Sequence, residues 1–551
     1  MKVFFNGNDF KISDFRDCLL IIVVSFFIFF INNNVIPADI MEARNLGTAQ
    51  EMVLTGQYFV PTLNGELRLT KPPLPTWIAA IVELVIPDNI VVQRAMTGIA
   101  ATLMALFLYL LIRKLTNQRL PAMLSAIVMI TTYSVVMMGR TATWDIYCHS
   151  FMLMAIFFLV GGLQHEGAQI GRFALVGILM GLSFLSKGPI SFYALLLPFL
   201  IAYIAYAKPK IKGKVISLCA MLLLFIIIAF WWPVYIAILH SDIGTAVVGK
   251  ESSNWLNYNV RPFWYYWGFS AESGIWILFW LSSFVFFAFN KKIENRNIFK
   301  FSIVWTLATL LLLSLVPEKK TRYLLPMLIP GAVNIGFYFW YSIQNIGSKG
   351  FAILFRINSM IIGLIALAMP VFLYLVFVRK DAMGWINFVF ALPLFIIASI
   401  LIIAGAYRRK GIKPIWIFSG TALVMVVFMV FCVPAAGKLF LNPQRHSIHL
   451  IRENDVVHKL PFFHNPKETI RMELVYEANC IIRKLNLEND SLFYGSLPFV
   501  LITTEPAKEL LAGKNVTIEY IDTYDNNWRI KGSKRYNKNL VKEVSIIRKN
   551  E

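Results

Sequence analysis

The feature that most constrains this chain is a series of long apolar runs separated by short polar loops. Thirteen runs lie near 18–31, 95–112, 120–138, 146–163, 173–186, 190–207, 215–239, 273–289, 301–316, 325–343, 359–377, 386–407 and 415–435. Each is long enough to cross, or nearly cross, a hydrocarbon layer about 30 Å thick. The pattern therefore predicts an all-α protein that crosses a membrane many times.

Composition agrees with this and excludes other classes. The 551 residues are 58% hydrophobic and only 15% charged, which is far from the balance of a soluble domain. The formal net charge of +21 raises the alternative of nucleic-acid binding. However, Lys and Arg fall mainly in short loops and in the C-terminal tail, so we expect no nucleic-acid partner. The five cysteines lack metal-ligand spacing and predict no zinc site.

The distribution of basic residues predicts the orientation. With the N-terminus inside, Lys and Arg concentrate in the inner loops near 113–119, 208–214, 291–300 and 408–413. The shorter run at 74–86 contains Glu83, and we interpret it as an amphipathic helix at the membrane interface. The outer segments are then 32–94, 139–145, 187–189, 240–272, 317–324, 378–385 and everything after about 436.

The residues after 435 differ from the rest of the chain. They are polar and rich in Asn and Lys, and they contain the strand-like runs SLFYGSLPFVLIT and NVTIEYI and the helix-like run KETIRMELVYEANCIIRKL. We therefore predict two domains, a membrane domain at 1–435, with its first outer loop at 32–94, and a small α/β domain at 436–551 outside the membrane.

The outer segments hold the unusual polar residues of the chain. These are Asp39, Glu42, Arg44, Lys71, Asp145, Lys187, Glu251, Arg261, Tyr265, Lys319, Lys320, Arg322 and Tyr323. Ionisable residues at membrane boundaries are costly unless they are paired or hydrated, so a one-sided cluster indicates a functional site. Some of the charged residues in these segments also have a simpler explanation: Arg140, Lys187 and Arg322 could extend to the lipid headgroups, and Asp145 could cap the helix that it begins.

Carboxylates set among lysines and arginines suit a reaction in which an anionic group leaves and a nucleophile loses a proton. Lys and Arg can hold a phosphate whose charge develops as a bond breaks, and a carboxylate can act as general base toward a hydroxyl. The sequence has no Walker loop, GxGxxG turn or G-x-S-x-G elbow, which argues against nucleotide, dinucleotide and acyl-serine chemistry. A membrane location indicates that the leaving group belongs to a lipid.

Several motifs resemble those of the GT-C class of membrane glycosyltransferases. In chain order they are an acid-x-Arg run followed by QEMVLTGQYFVPTLNG, then KPPLPTW, GRTATWD, LSKGP, RPFWYY and KKTRYLLP. The resemblance is to the lipid A aminoarabinose transferases (ArnT-like) and their relatives, the protein O-mannosyltransferases of family 39, and it covers roughly 15–435. It implies a GT-C fold with about thirteen transmembrane helices, interfacial helices in the first outer loop and a C-terminal α/β domain in the periplasm.

The resemblance also implies an activity. A sugar is expected to move from a polyprenyl-phosphate (undecaprenyl-phosphate) donor to lipid A, another envelope glycan or a protein, at the periplasmic face of the bacterial inner membrane. We expect a monomer whose other partner is the lipid bilayer. Two alternatives stay open: a protein O-mannosyltransferase, and a lipid or sugar transporter. Transport is disfavoured because ionisable residues near the bilayer midplane and repeated halves are not evident.

Matched position by position, Arg44 and Lys71 correspond to the phosphate-holding residues of the family, and Tyr323 corresponds to its tyrosine before LLP. Three further cations, Arg261, Lys319 and Lys320, are expected to help hold the phosphate.

The acidic residues match less completely. Asp145 corresponds to the acid of the second outer loop and is expected to orient the acceptor or the sugar. Met41 stands where the first-loop Asp is expected, so Glu42, or Asp39 one helical turn earlier, would act as the catalytic base.

The resemblance gives no firm cofactor. Relatives place a Glu before the lysine of KPP and a His after the Glu of the long outer loop, where this chain has Thr70 and Ser252. A divalent metal held by those two side chains is therefore not expected and we assign no metal ligand, but dependence on a divalent metal stays open.

Overall fold

The computed structural model describes residues 12–207, 209, 211–240, 249, 257–289, 296–344, 349–407 and 411–550. Glu251, Ser252 and parts of three basic inner loops lie outside these ranges. The chain forms two compact units. The first takes in Met1–Asn33, Thr70–Leu74 and Arg94–Ala435, and the second takes in Asn34–Leu69, Pro75–Gln93 and Ala436–Glu551.

Helices dominate the chain. In order they are α1 Ile12–Ser25, α2 Ile40–Thr55, α3 Leu74–Val85, α4 Ile90–Thr116, α5 Arg119–Ile130, α6 Tyr133–Gly139, α7 Trp144–Gln164, α8 Ile170–Lys187, α9 Leu197–Tyr206, α10 Val215–Leu239, α11 Ile277–Phe289, α12 Arg296–Leu315, α13 Leu325–Gln344, α14 Lys349–Leu373, α15 Trp385–Tyr407, α16 Pro414–Val427, α17 Val433–Phe440, α18 Asp455–His458, α19 Met472–Ala478, α20 Asp490–Gly495 and α21 Ala507–Leu510. Short π-helical or 3₁₀ segments adjoin several of them, including Phe26–Phe30, Phe192–Leu196, Phe263–Trp276 and Thr321–Leu324.

The predicted spans all coincide with helical structure. Within the described ranges, ten helices are long and apolar enough to cross a membrane, or eleven if α5 and α6, bent by 65°, form one span. The remaining predicted spans correspond to α1 with its π-helical extension, which carries Asp14 and Asp17, and to the shorter segment Phe192–Tyr206. The predicted polytopic all-α class is confirmed, whereas the number thirteen stays a prediction.

Close helix packing in the first unit depends on small residues. Helix α8 packs against both α7 and α10. A Cβ at Gly177 would collide with the main-chain carbonyl of Met221, and one at Gly181 would lie 2.6 Å from the Ile228 side chain. Since apolar side chains gain little by leaving lipid for another apolar surface, close backbone approach of this kind stabilises membrane helix pairs.

Polar contacts fix both ends of the first helical segment, α1 with its π-helical extension, to neighbouring helices. Arg119 Nη2 lies 2.8 Å from Asp17 Oδ1, and Tyr109 Oη lies 2.8 Å from Asp14 Oδ1. At the other end, buried Arg140 donates to the main-chain carbonyls of Ile28 and Asn32, both at 2.6 Å. The interpretation of Arg140 as a residue that extends to the headgroups is therefore wrong: it binds one carbonyl in the π-helical segment Phe26–Phe30 and one just after it.

The second unit contains the β-structure. Its strands are β1 Thr62–Leu63, β2 Glu66–Leu67, β3 Phe462–His464, β4 Ile482–Lys484, β5 Phe499–Thr503, β6 Val516–Asp525 and β7 Val541–Lys549. β1 and β2 form an antiparallel hairpin, and the other five strands form a mixed sheet of order β4-β3-β5-β7-β6. All five residues of β5 are buried, because this central strand has a hydrophobic cluster on each face.

Two details of the predicted α/β part are corrected. The run SLFYGSLPFVLIT is helix α20 followed by β5, because Asn489 accepts a bond from the Leu492 amide and caps a helix there. The helix-like run near 467–485 is the short helix α19 followed by β4. Asn479, with a φ of 50°, ends that helix in the left-handed region. The predicted domain boundary at 435 stays a prediction, although Asn34–Leu69 and Pro75–Gln93 group with the C-terminal residues.

Candidate active site

An ion pair at the ends of two neighbouring helices forms the buried part of the candidate site. Asp145 lies in the first turn of α7, and Lys187 is the last residue of α8. Their carboxylate and ammonium groups form an ion pair, and the two side chains are only 3% and 8% exposed, respectively. Asp145 is not the cap of α7, because Thr143 occupies the cap position. The Asp145 carboxylate instead balances the positive charge of the buried Lys187 ammonium.

The ring of Tyr323 joins this pair to a second one. The ammonium of Lys187 lies over the ring, 4.8 Å from its centroid. The Tyr323 hydroxyl donates to Glu318 Oε1 at 3.2 Å, and the same oxygen accepts from Lys320 Nζ at 2.5 Å. Lys320 Nζ also lies over the ring, 5.5 Å from its centroid. Tyr323 thus contacts two lysines, each with its own carboxylate.

Main-chain contacts hold the segment that carries Glu318 and Lys320. Glu318 forms an antiparallel bridge with Val260. The Tyr266 hydroxyl accepts from the Lys320 amide at 3.0 Å and donates to the Lys320 carbonyl at 3.1 Å. The exposed ring of Tyr258 lies 4.9 Å from Lys320 Nζ. Two loop segments, far apart in sequence, are therefore fixed against each other beside Tyr323.

Two of the predicted phosphate ligands have other contacts in this structure. Lys319 is 2% exposed, and its ammonium donates to the carbonyls of Val316 at 2.6 Å and Arg261 at 3.3 Å. The Arg261 amide donates to the Pro317 carbonyl at 3.2 Å, while the residue itself is exposed. Lys319 therefore links the two segments through their carbonyls, and its role as a phosphate ligand stays a prediction, as does that of Arg261.

Two further cations act on the buried pair. Lys71, half-buried in the turn before α3, repels Lys187 electrostatically, and Arg322 attracts the carboxylate of Asp145. The first unit thus brings together Lys71, Asp145, Lys320 and Tyr323 of the predicted residues. It adds Lys187, Arg322 and Glu318, to which the sequence assigned no role. Glu318 was detectable in principle, since PEKK places a carboxylate two residues before Lys320.

The other predicted residues, Asp39, Glu42 and Arg44, belong to the second unit. The Asp39 carboxylate caps α2 by accepting from the amides of Met41 and Glu42, both at 2.9 Å. Glu42 is fully buried in the first turn of α2. Arg44 is half-buried, with Nη1 3.8 Å from Met41 Sδ. Burial, together with the positive charge of Arg44, lowers the pKa of nearby Arg68 to about 10.

The residues considered for a metal can be placed only in part. Thr70 is half-buried, and Ser252 lies outside the described residues. Across the ranges that the structure describes, no three or more His, Cys, Asp or Glu side chains lie together in a way that could hold a metal ion. The expectation about Thr70 and Ser252 stays a prediction.

Comparison with known proteins supports the resemblance seen in the motifs. The family model for dolichyl-phosphate-mannose-protein mannosyltransferases matches residues 70–232. This match includes Lys71, Asp145 and Lys187 of the candidate site.

Two relatives carry a more specific name. Undecaprenyl phosphate-alpha-4-amino-4-deoxy-L-arabinose arabinosyl transferase 1 of Pseudomonas fluorescens is 26% identical over 319 residues, covering 54% of each chain. The transferase of the same name from Erwinia tasmaniensis is 26% identical over 316 residues, covering 56% of each chain. The present chain therefore spans little more than half of the length of these relatives.

A solved structure matches nearly the whole chain. The crystal structure of ArnT from Cupriavidus metallidurans bound to undecaprenyl phosphate superposes with a TM-score of 0.68 and 13% identity, covering 96% of this chain and 97% of that one. At this identity the match establishes the fold. The chain is thus similar in sequence to the named arabinosyl transferases over about half of its length and shares the fold of the ArnT structure, in agreement with the GT-C resemblance that its motifs predicted.

Proposed function

We propose that this protein is an integral-membrane glycosyltransferase that moves a sugar from a polyprenyl-phosphate donor to an acceptor of the bacterial envelope. The observation that carries the proposal is the group of two lysine–carboxylate pairs around Tyr323, with Lys71 and Arg322 close by. The names of the relatives and the undecaprenyl phosphate in the matched crystal structure support the same class of donor.

The cations suit the leaving group of such a transfer. When the bond between the anomeric carbon and the phosphate oxygen breaks, its electron pair stays on the phosphate. The phosphate then changes from a monoanionic diester to a monoester with about −1.5 to −2 charges near neutral pH. Lys71, Lys320 and Arg322 would stabilise this growing charge, and the Tyr323 hydroxyl would donate a hydrogen bond to it.

A carboxylate is needed to accept the proton of the attacking hydroxyl. Glu42 is the better of the two candidates, since the Asp39 carboxylate already accepts two amide hydrogens at the start of α2. Arg44, two residues further on, is proposed to bind the phosphate, as the family motif implies. Attack opposite to the leaving phosphate would invert the anomeric centre. Asp145 would act by holding Lys187 against Tyr323 rather than by contacting the acceptor.

Lipid A at the periplasmic face of the inner membrane is the acceptor that we propose first. A protein acceptor is the second candidate, and the family match at 70–232 favours it. Mass spectrometry of lipid A, envelope glycans and envelope proteins from cells with and without the gene separates the two. A sugar increment lost from lipid A supports the first, and one lost from peptides supports the second. No difference in any fraction would contradict the proposed activity.

Lys71→Ala tests the phosphate assignment directly. Purified protein in nanodiscs is supplied with the lipid-linked sugar that the mass spectra identify, and the transfer rate is measured. We expect the variant to lose about 100-fold or more in rate, because a preorganised donor to the developing charge is removed. Lys380→Ala, an exposed lysine of a different predicted outer loop, serves as control and keeps its rate. An unchanged rate for Lys71→Ala would remove Lys71 from the site.

A further inference from the structure

We propose that Glu318 is a positioning residue whose carboxylate competes with the donor phosphate for Lys320. The inference rests on the proposed function, since it concerns the same phosphate site. It assigns a role to a residue that neither the motifs nor the comparisons single out. Glu318 would hold Lys320 and Tyr323 in the arrangement that a phosphate needs, and would release Lys320 when the phosphate arrives.

The geometry around one oxygen atom carries this inference. Glu318 Oε1 lies 2.5 Å from Lys320 Nζ and 3.2 Å from the Tyr323 hydroxyl, and these two donors are 3.4 Å apart. An oxygen atom that accepts hydrogen bonds from both donors is confined to a small region close to both of them. A phosphate oxygen held by the same lysine and tyrosine would therefore take the place of Glu318 Oε1, so the two anions exclude each other there.

The exposures of the two ion pairs indicate which one exchanges its partner. Asp145 and Lys187 are 3% and 8% exposed, whereas Glu318 is 9% and Lys320 is 32% exposed. A deeply buried pair is costly to separate, but a pair with one partly exposed member is held weakly and can exchange its partner. An anion that approaches from solvent meets Lys320 first and can displace the carboxylate beneath it.

The main chain around Glu318 is held independently of its carboxylate. The residue pairs with Val260 in an isolated β-bridge, and the side-chain amide of Asn259 donates to the Lys319 carbonyl at 3.0 Å. Tyr266 binds both main-chain polar groups of Lys320. The carboxylate can therefore move by a side-chain rotation alone, and replacing it with an amide keeps the segment in place.

The test measures binding of undecaprenyl phosphate to the full-length protein in nanodiscs. Glu318→Gln removes the competing charge and is expected to bind this lipid on the order of threefold to tenfold more tightly than wild type, the size expected for one partly exposed charge pair. Lys320→Gln is expected to bind it more weakly. In the double variant Glu318→Gln with Lys320→Gln, the increase in affinity caused by Glu318→Gln should disappear. The reason is that the Lys320 ammonium, for which the carboxylate and the phosphate compete, is absent.

Glu505→Gln, an exposed carboxylate of the C-terminal part, is the control and should bind as wild type does. Equal or weaker binding by Glu318→Gln, with an unchanged unfolding temperature, would overturn the inference and leave the proposed function intact. A gain that persists in the double variant would also overturn it, because the effect would then not pass through Lys320. A wild-type protein that neither binds undecaprenyl phosphate nor transfers sugar would overturn the proposed function and this inference together.

Discussion

Asp145 and Lys187 form the more deeply buried of the two ion pairs around Tyr323, and each residue neutralises the buried charge of the other. Their side chains lie at the ends of α7 and α8, where neither is more than 8% exposed. Removing one partner leaves an uncompensated charge in an apolar bundle, whereas removing both leaves none. This difference separates the contribution of the pair to folding from its contribution to chemistry.

We expect Lys187→Met to lower the free energy of unfolding by about 3–5 kcal/mol and to abolish sugar transfer. The double variant Asp145→Asn with Lys187→Met should recover most of that free energy but not the transfer rate, because the Lys187 ammonium then no longer lies over the Tyr323 ring. Denaturation in mixed micelles and the transfer assay measure the two effects. A double variant with full activity would show that Lys187 is not part of the site.

At the scale of secondary-structure elements, two glycines of α8 allow a comparison within one helix. A Cβ at Gly177 meets the Met221 carbonyl of α10, whereas a Cβ at Gly171 meets nothing within 4 Å. The first glycine therefore sets the distance between two helices, and the second has no such role. Because Lys187 ends the same helix, the position of α8 also determines where its ammonium lies.

Gly177→Ala should lower the free energy of unfolding by about 1–3 kcal/mol, since the added methyl group forces α8 and α10 apart. Gly171→Ala is the matched control and should be neutral or slightly stabilising, because alanine favours the helix more than glycine does. Thermal unfolding of the two purified variants in one detergent makes the comparison. If both variants unfold at the wild-type temperature, the helices are not packed as closely as described.

At the scale of the whole molecule, a contact across 418 positions ties the loop at 34–69 to the C-terminal sheet within the second unit. The Asn64 side chain accepts from the Ile482 amide at 2.7 Å and donates to the Ile482 carbonyl at 2.8 Å. The hairpin turn that carries Asn64 is itself held by Glu51, which accepts from the amides of Asn64 and Gly65. The hairpin turn is therefore attached to β4, the edge strand of the five-stranded sheet, through the side chain of Asn64.

Asn64 has a φ of 57°, so Asn64→Gly removes its side chain without straining the turn. We expect faster amide hydrogen exchange in β4 and in the hairpin, corresponding to a loss of about 1–3 kcal/mol of local stability from two hydrogen bonds. Asp381→Gly, an exposed position with a φ of 55°, is the control. Unchanged exchange in β4 would show that the loop and the sheet are not joined through Asn64.

The apolar runs were sufficient to predict the polytopic helical class and the places of the long apolar helices. Whether a segment is stable within lipid depends on the apolar content of that segment alone, which can be read directly from the sequence. The order of short motifs was sufficient to predict the GT-C resemblance that the comparisons bear out. The loop at 34–69 is different: no local pattern predicts that it groups with residues 436–551.

Only the tertiary structure decided which charges meet. In the sequence, Lys187, Glu318 and Lys320 are separate loop residues with no visible partner assignment. The sequence also does not decide whether Asp39 or Glu42 is the catalytic base. Folding pairs Lys187 with Asp145 and Lys320 with Glu318, and it engages Asp39 as a helix cap. The physical reason is that ion pairs and caps act over a few ångströms, so they depend on how distant segments pack and on the backbone direction at each helix end.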